Sequence, residues 1–146
     1  MGSLQIMDTT MMAIDFHSQL IALGTDKRAS TLSWNMLARV APDWVVGIVT
    51  AANDQAVHAE IWERHPAGDE ILYLIEGRLL LTLLLEDKQE KSIDLLTGQV
   101  FIVPQGIWHR IHVIEPAQLL FVKPPVGTEH RFHADSESLY GDGKGL

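Results

Sequence analysis

Three side chains that can bind a metal ion lie close together in the stretch IWERHPAGDEILYLIEG, residues 61–77. They are Glu63, His65 and Glu70. Side chains alternate faces along a strand, so Glu63 and His65 point the same way if the strand continues to residue 65. The turn PAGD follows, and Glu70 then opens the next strand beside them. The pattern predicts that the three converge at one end of a strand pair, as a metal site or as a charged loop.

A fourth candidate stands in a second cluster, GQVFIVPQGIWHRIHV, residues 98–113. Pro104 ends a predicted strand, Gly106 allows a tight turn, and His109 begins the next strand. A metal ligand needs a rigid mount, and a short turn at a strand end provides one. His109 therefore joins the candidate residues.

Composition excludes several classes of protein. With 146 residues the chain is expected to form one domain. It has no Cys, which excludes disulfides, thiolate metal sites and Cys nucleophiles, and the composition fits a cytoplasmic protein. A net charge of −8 argues against binding to nucleic acid or to an anionic membrane. No apolar run reaches the roughly 20 residues of a membrane span, and the N-terminus does not resemble a signal peptide.

The elements that must position these residues are mostly strands. Residues 8–23 carry spaced apolar side chains, with Asp8, Thr9 or Thr10 as the cap and Gly24 at the end, which predicts a short N-terminal helix, and 25–33 reads as a loop. Short apolar segments separated by turn residues then predict an all-β sandwich or barrel. The predicted strands are 34–40, 44–51, 56–63, 70–76, 78–85, 91–95, 100–103, 108–114 and 117–122.

Two of these strands, ILYLI and LLLTLLL, are apolar on both faces. A strand in a sheet with one solvent-exposed face should alternate apolar and polar residues. These two strands therefore need another element to cover their outer face. The N-terminal helix or a partner subunit can provide this cover, and a homodimer formed through one sheet is expected.

The two clusters together resemble the paired motifs of the cupin family. The first motif reads G-x5-H-x-H-x3–4-E-x6-G, and the second reads G-x5-P-x-G-x2-H-x3-N. This chain matches with Glu63, His65, Glu70 and Gly77, and then with Gly98, Pro104, Gly106 and His109. It departs from the pattern at three positions, where Val57 replaces Gly, Glu63 replaces the first His and Val113 replaces Asn. The resemblance covers roughly residues 45–125.

The resemblance implies a single-domain cupin, that is, a small antiparallel β-barrel or jelly roll preceded by the short helix. Residues 1–33 would be the helix and lead-in, 34–125 the barrel, and 126–146 a partly flexible extension. Carried over residue by residue, the ligands of a divalent metal are His65, Glu70 and His109, with Glu63 as a further candidate. Two His and one carboxylate suit Fe(II), a second carboxylate shifts the preference towards Mn or Fe, and Zn or Ni also fit.

Glu63 has three alternative roles. It is a fourth ligand, or a free carboxylate beside the metal that acts as a general base, or the partner of a nearby Arg with no chemical role. The Arg candidates are Arg64, Arg78 and Arg110. For the whole cluster the alternative is a barrel that has kept its turns and lost its metal.

Other residues are expected to play structural parts. His58 and His112 alternate away from the ligands and read as surface or interface residues. His130 and His133, in TEHRFH, are expected in a solvated segment, the alternative being that they fold across the barrel mouth. Trp62 and Trp108 are expected to pack. The predicted cavity lining is Leu72, Leu74, Val103, Ile107, Ile111 and Phe121, with Arg110 and Lys123 as the nearest basic residues. Such a mostly apolar lining favours a small, partly apolar ligand.

Two functions remain open from the sequence. The first is a metal-dependent enzyme acting on a small organic molecule, by oxygenase, isomerase or lyase chemistry. The second is a non-catalytic protein that binds a small molecule or a metal. The fold alone does not choose between them.

Overall fold

Nine antiparallel strands form one curled sheet in the computed structural model, which describes residues 11–37, 39 and 42–133. The strands are β1 (Gln19–Leu23), β2 (Ala29–Ser33), β3 (Trp44–Ala51), β4 (Ile61–Arg64), β5 (Glu70–Leu84), β6 (Glu90–Leu96), β7 (Val100–Val103), β8 (Trp108–Lys123) and β9 (Glu129–Phe132). A single 3-10 turn, Trp34–Met36, lies between β2 and β3. The architecture is an all-β antiparallel barrel, as the sequence predicted.

The long strands β5 and β8 form the centre of the sheet. They pair with each other along most of their length, from Ile71 opposite Val122 to Leu84 opposite Trp108. β6 and β7 also pair with β5, while β3 and β4 pair with β8. Each long strand therefore has neighbours along both of its edges. Each also carries a candidate ligand near its first residue, Glu70 in β5 and His109 in β8.

Gly77 marks an irregularity in β5 rather than the end of a strand. The register with β8 shifts on both sides of it, and its φ is +96°, in the left-handed region that favours Gly. A Cβ at this position would overlap the carbonyl oxygen of Pro116. The predicted strands 70–76 and 78–85 are therefore one strand with a bulge, and 108–114 and 117–122 are likewise one strand, β8.

The core lies inside the barrel and is built from the inward-facing apolar side chains. Its fully buried members come from β1, β3, β5 and β7: Leu20, Val45, Leu72, Leu74, Leu79, Leu81 and Val103. Each of these side chains adds roughly 1.5–3 kcal/mol of hydrophobic stabilisation relative to an exposed one. The burial holds the two long strands, and with them the site, in a fixed geometry.

The predicted N-terminal helix is wrong. Residues 11–18 contain turns and no helix, and Gln19–Leu23 is strand β1, which pairs with β2 and β3. Leu20 and Ala22 are buried while their neighbours are only half-buried, which is the period of a strand. Pairing on both sides outweighs the helical spacing of the apolar residues. Residues 8–10 lie outside the described part of the chain.

Three other predicted segments differ in detail. The loop predicted at 25–33 contains β2, and the strand predicted at 34–40 begins with the 3-10 turn instead. The strand predicted at 56–63 is reduced to β4, because residues 54–60 form turns in which His58 has a φ of +52°. The predictions at 44–51 and 100–103 are confirmed to the residue.

The outer face of the sheet between β1 and β7 is also apolar. Cross-strand partners point to the same face, so the pairings place the outward side chains in two rows. One row holds Ile21, Val46, Val122, Ile71 and Ile102, and the other holds Ile48, Leu120, Tyr73 and Val100. All nine are half-buried or exposed in the single chain. We call these residues the outer apolar face.

Among the described residues, no helix has the length and apolar character needed to cross a membrane.

Candidate metal centre

Two turns and three strands bring the candidate ligands together. Glu63 lies on β4, directly opposite His109 at the start of β8, and Glu70 is the first residue of β5. The backbone N–H of Gly106 donates to the carbonyl oxygen of His65 at 3.1 Å, which ties the turn before β8 to the turn before β5. The N–H of Gln105 adds a bond to Asp69 Oδ1 at 2.8 Å. The turns predicted from Pro and Gly therefore fix the ligands relative to one another.

The four side chains Glu63, His65, Glu70 and His109 form a compact cluster. Each offers one ligand atom, and these atoms lie within 4.8 Å of one another. His65 Nε2 is 3.0 Å from Glu63 Oε1 and 3.1 Å from Glu70 Oε1, and His109 Nε2 is 3.1 Å from the same oxygen of Glu70. His65, Glu70 and His109 are buried and Glu63 is half-buried. This group can hold a metal ion.

The outer nitrogen of each His ring has its own partner. His65 Nδ1 is 3.0 Å from the hydroxyl of Thr128, and His109 Nδ1 is 3.0 Å from the carbonyl oxygen of Ile107. A carbonyl only accepts, so His109 carries a proton on Nδ1. Its Nε2 then presents a lone pair to the cluster. Metal-binding His residues are usually held in this way, with the outer N–H donated to a neighbouring acceptor.

The donor set fits a cation at the centre. With a proton on Nδ1, a neutral His109 places the lone pair of Nε2 against a carboxylate oxygen of Glu70, and two acceptors do not attract each other. A positive charge between them resolves the conflict, either as a second proton on the ring or as a metal ion. Two imidazole nitrogens with one or two carboxylate oxygens are a common ligand set for divalent transition metals.

The charges of the cluster shift its pKa values strongly. Burial on its own would lower the pKa of His65, but the hydrogen bonds to Glu63 and Glu70 outweigh it and raise that pKa to about 9. Burial would raise the pKa of Glu70, yet His109 and His65 lower it to about 2. For Glu63 burial again acts upwards, while His130 and His65 hold the pKa well below its ordinary value. Both carboxylates are therefore ionised at neutral pH.

The partners of Glu63 are not the Arg residues that the sequence suggested. Its Oε2 accepts a hydrogen bond from His130 Nε2 at 2.8 Å, and its Oε1 lies 3.8 Å from Lys123 Nζ. The Arg residues proposed as its partners are elsewhere, because Arg64 pairs with Glu129, Arg78 with Asp94, and Arg110 with Glu90. The carboxylate is thus oriented towards the cluster, with Oε1 facing His65.

Strand β9 supplies contacts that the sequence reasoning missed. The segment 128–133 was expected to be solvated, yet β9 pairs with β4 and brings Thr128 to His65 and His130 to Glu63. His133 Nδ1 accepts a hydrogen bond from Trp62 Nε1 at 3.0 Å. The only available signal was the polar, His-containing composition of TEHRFH, which does not reveal a partner strand.

A cavity of about 450 Å³ opens beside the cluster, and Glu63, Glu70 and His109 line it. Of the predicted lining, Leu72, Ile111 and Phe121 face it, whereas Leu74, Val103 and Ile107 pack in or against the core instead. The remaining lining residues are Trp34, Val49, Ala56, Val57, His58, Ile61, Arg110, Leu119, Lys123 and His130. Arg110 and Lys123, which alternation did not place inward, both border the cavity.

The remaining candidates lie outside the cluster. His112 Nδ1 is 3.3 Å from Asp54 Oδ2, and its Nε2 faces Arg110. His58 is exposed at the edge of the cavity. Trp62 and Trp108 are buried with Leu84 in a small separate apolar group, in the packing role predicted for them.

Comparison with known proteins gives a match to a family model and several distantly similar structures. Residues 53–123 match the family model described as cupin domain. A search of curated proteins finds no significant match. Among solved structures, a cupin-2 domain protein from Shewanella frigidimarina is 21% identical with a TM-score of 0.44, and the match covers 56% of this chain and 71% of that one.

Two further structures are similar to the same extent. Hydroxypropylphosphonic acid epoxidase from S. wedmorenis is 25% identical with a TM-score of 0.47, covering 56% of this chain and 44% of the epoxidase. A protein from Neisseria meningitidis is 18% identical with a TM-score of 0.44, covering 56% of this chain and 74% of that one. The matched region thus spans less than half of the epoxidase. The family-model match, the paired motifs and the antiparallel barrel together show that residues 53–123 of this chain form a cupin domain.

Proposed function

We propose that this cupin binds a divalent metal ion through His65, Glu70 and His109, and that it is a metal-dependent enzyme acting on a small organic molecule. The observation that carries the proposal is the convergence of four ligand atoms within 4.8 Å at one wall of a cavity. The outer nitrogens of both His rings are already engaged, so their Nε2 atoms point to the centre.

The ligand set favours Fe or Mn, and it also accepts Zn or Ni. A divalent ion bound here would polarise a substrate oxygen or increase the acidity of a water molecule. The chain's own residues supply the rest. Leu72, Ile111 and Phe121 limit the access of water to the site, which strengthens electrostatic interactions inside it.

Glu63 is the candidate for proton transfer. The hydrogen bond from His130 fixes its Oε2, while its Oε1 faces the cluster and the cavity. Because its pKa lies well below the ordinary value, this carboxylate is ionised, as a fourth ligand or a base must be, and the low pKa favours the ligand role. As a base it would take a proton from a water molecule or from a substrate C–H bond. Oxygenase, isomerase and lyase chemistry all fit this arrangement.

One observation favours a second candidate, a non-catalytic small-molecule-binding cupin without a metal. A protonated His65 placed between Glu63 and Glu70 balances much of the charge of the cluster by itself. In that case the four residues would be a structural ion-pair network. Metal content separates the two candidates.

Metal analysis by plasma emission tests the proposal on protein purified without a His tag. We expect stoichiometric metal in the parent and its loss in His109→Ala. The matched control is His112→Ala. His112 lies on the same strand as His109, but it contacts Asp54 and Arg110 and not the cluster. Sub-stoichiometric metal that is unaffected by His109→Ala would contradict the proposal.

We also propose that the protein is a homodimer formed through the outer apolar face. Nine apolar side chains in two adjacent rows form a contiguous patch, and large patches of this kind mark interaction sites. The same surface on a second copy gives a self-complementary contact about a two-fold axis. A cytoplasmic location and the absence of nucleic-acid and membrane partners stay predictions from the composition and the net charge of −8.

A further inference from the structure

A single ammonium group lies in the wall of the cavity next to the cluster. Lys123 is the last residue of β8, and its side chain is only 20% exposed. Its Nζ lies 5.1 Å from the centre of the Phe121 ring and 3.8 Å from Glu63 Oε1, beyond hydrogen-bonding distance. Within the described part of the chain, this ammonium makes no hydrogen bond. Its ion pair with Glu63 is long and leaves the three N–H groups of the ammonium without a hydrogen-bond acceptor, so the group is suited to bind an anion.

The other cation at the cavity is already engaged. Arg110 lies over the ring of Trp62 at 5.1 Å, and its guanidinium contacts the carbonyl oxygen of Ala59 and the ring of His112. Its NH2 group is also 3.9 Å from Glu90. These contacts hold Arg110 at the rim and leave Lys123 as the cation available to a ligand.

The charges that line the cavity become positive once the cluster holds a divalent ion. The acidic residues among the lining are Glu63 and Glu70, and both belong to the cluster. A divalent ion offsets their two negative charges. The charge of Lys123 then has no counterpart in the cavity, and a negatively charged group is attracted to the space between Lys123 and the cluster.

Most of the remaining cavity wall is apolar. The rings of Trp34 and Phe121 lie 6.0 Å apart at one wall, and Val49, Ile111 and Leu119 complete the surface. A volume of about 450 Å³ is within the range of sites for small molecules. A ligand that matches this surface has an apolar body and one charged end.

We propose that the cavity takes a small amphiphilic acid, with an apolar body and one carboxylate-type anionic group, and that Lys123 Nζ anchors this group beside the cluster. The inference rests on the proposed function, because the metal is what offsets the charges of Glu63 and Glu70. It goes further by naming the class of ligand and the residue that selects it.

The test compares hexanoate with 1-hexanol as ligands of the Mn²⁺-loaded protein, by titration calorimetry. The two probes have similar apolar bodies and differ in charge. One charge-assisted hydrogen bond is worth about 1.5–3 kcal/mol, so hexanoate should bind at least ~10-fold more tightly. Lys123→Met should abolish this preference, and Lys123→Arg, which keeps the charge, should retain it. Lys91→Met removes an exposed Lys from β6 and should behave like the parent.

Equal affinity for the two probes, including no measurable binding of either, would overturn the inference. A preference that survives Lys123→Met would also overturn it, since the anion would then be held by another group. Mn²⁺ content is measured on the same samples. Failure of the parent to load any of Mn²⁺, Fe²⁺, Zn²⁺ or Ni²⁺ refutes the proposed function itself, whereas Mn²⁺-loaded protein without a preference for hexanoate overturns the Lys123 anchor alone.

Discussion

His65 must lose a proton before it can bind a metal, and the structure makes that proton unusually hard to remove. Its Nε2 lies 3.0 Å from Glu63 Oε1 and 3.1 Å from Glu70 Oε1, and these contacts raise the pKa of His65 to about 9. Metal and proton therefore compete for the same nitrogen atom. We predict that metal affinity rises steeply with pH across a range in which an ordinary His site shows little change.

The magnitude follows from the pKa. With a pKa of about 9, the neutral fraction of His65 rises from about 1% at pH 7 to about one half at pH 9, so affinity should rise about 50-fold over this range. A His with the ordinary pKa of 6.5 is already mostly neutral at pH 7. In the metal-free protein the free energy of unfolding has the opposite pH dependence. The raised pKa of His65 stabilises the fold below pH ~6.5, and this stabilisation is lost as the pH approaches 9.

The assay is a competition titration of Mn²⁺ against a chelator of known pH dependence, from pH 6.5 to pH 9. Calorimetry at pH 7.5 in two buffers of different ionisation enthalpy counts the protons released, and we expect close to one per metal ion. Glu63→Gln removes one of the two carboxylates that raise the pKa of His65, so it should flatten the pH profile. Glu129→Gln is the matched control, because Glu129 has the same exposure but pairs with Arg64.

A pH-independent affinity between pH 7 and pH 9, without proton release, would refute this reasoning. So would a profile that Glu63→Gln and Glu129→Gln change to the same extent. Either result would mean that the two carboxylates do not hold a proton on His65 in competition with the metal.

Three further predictions concern the support of the site, the bulge and the outer apolar face. Thr128→Val leaves the Nδ1–H of His65 without its acceptor and should weaken metal affinity 10–100-fold in the same competition titration. Gly77→Ala places a Cβ against the carbonyl of Pro116 at a φ of +96°, and should lower the free energy of unfolding in urea by at least ~2 kcal/mol. Ile102→Lys places a charge in the outer apolar face and should convert a dimer into a monomer, measured by light scattering.

Each of these has a matched control. Thr82→Val removes a buried hydroxyl that bonds to Ser92 and not to the cluster. Gly98→Ala has a similar positive φ but no atom within 4 Å of the added Cβ, so it isolates the backbone contribution. Ile114→Lys charges an exposed residue of β8 that lies outside the two rows. A variant that changes the measured property no more than its control does would contradict the corresponding prediction. A parent protein that is already a monomer would contradict the prediction for Ile102→Lys.

The convergence of the four candidate ligands could be predicted because it depends on local features. β4 ends at Arg64, one residue before His65, yet Glu63 and His65 still face the same cluster as alternation predicted. Short turns with Pro and Gly determine where Glu70 and His109 emerge. The spacing of two motifs was therefore sufficient to define the cluster. The apolar character of β5 on both faces likewise followed from the sequence, and the outer apolar face is its structural counterpart.

The surroundings of the cluster could not be predicted, because they depend on pairing between distant segments. Thr128 is 63 residues from His65, and His130 is 67 residues from Glu63, and β9 brings both into contact. Nothing in a single sequence indicates which strand lies beside β4. Lys123 was named as one of the nearest basic residues, but its place in the cavity wall was not predicted, since alternation does not show how the end of a strand curves around a cavity mouth.

The prediction of an N-terminal helix was wrong for the same physical reason, pairing with segments that lie elsewhere in the chain. Leu20 and Leu23 fit a helical period, but Leu20 and Ala22 also fit the period of a strand, and five residues are too few to separate the two patterns. Hydrogen bonds to β2 on one side and β3 on the other decide in favour of the strand. Those partners follow later in the chain, so local propensity could not anticipate them.

The measurement that tests the central claim most directly is anomalous diffraction from crystals grown with Mn²⁺, recorded above and below the absorption edge of the metal. We expect a single anomalous peak at coordination distance from His65 Nε2, Glu70 Oε1 and His109 Nε2, with the peak-to-Glu63 distance deciding whether Glu63 is a ligand. A cluster without a peak, in which His65 still lies 3.0 Å from Glu63 and 3.1 Å from Glu70, would contradict it.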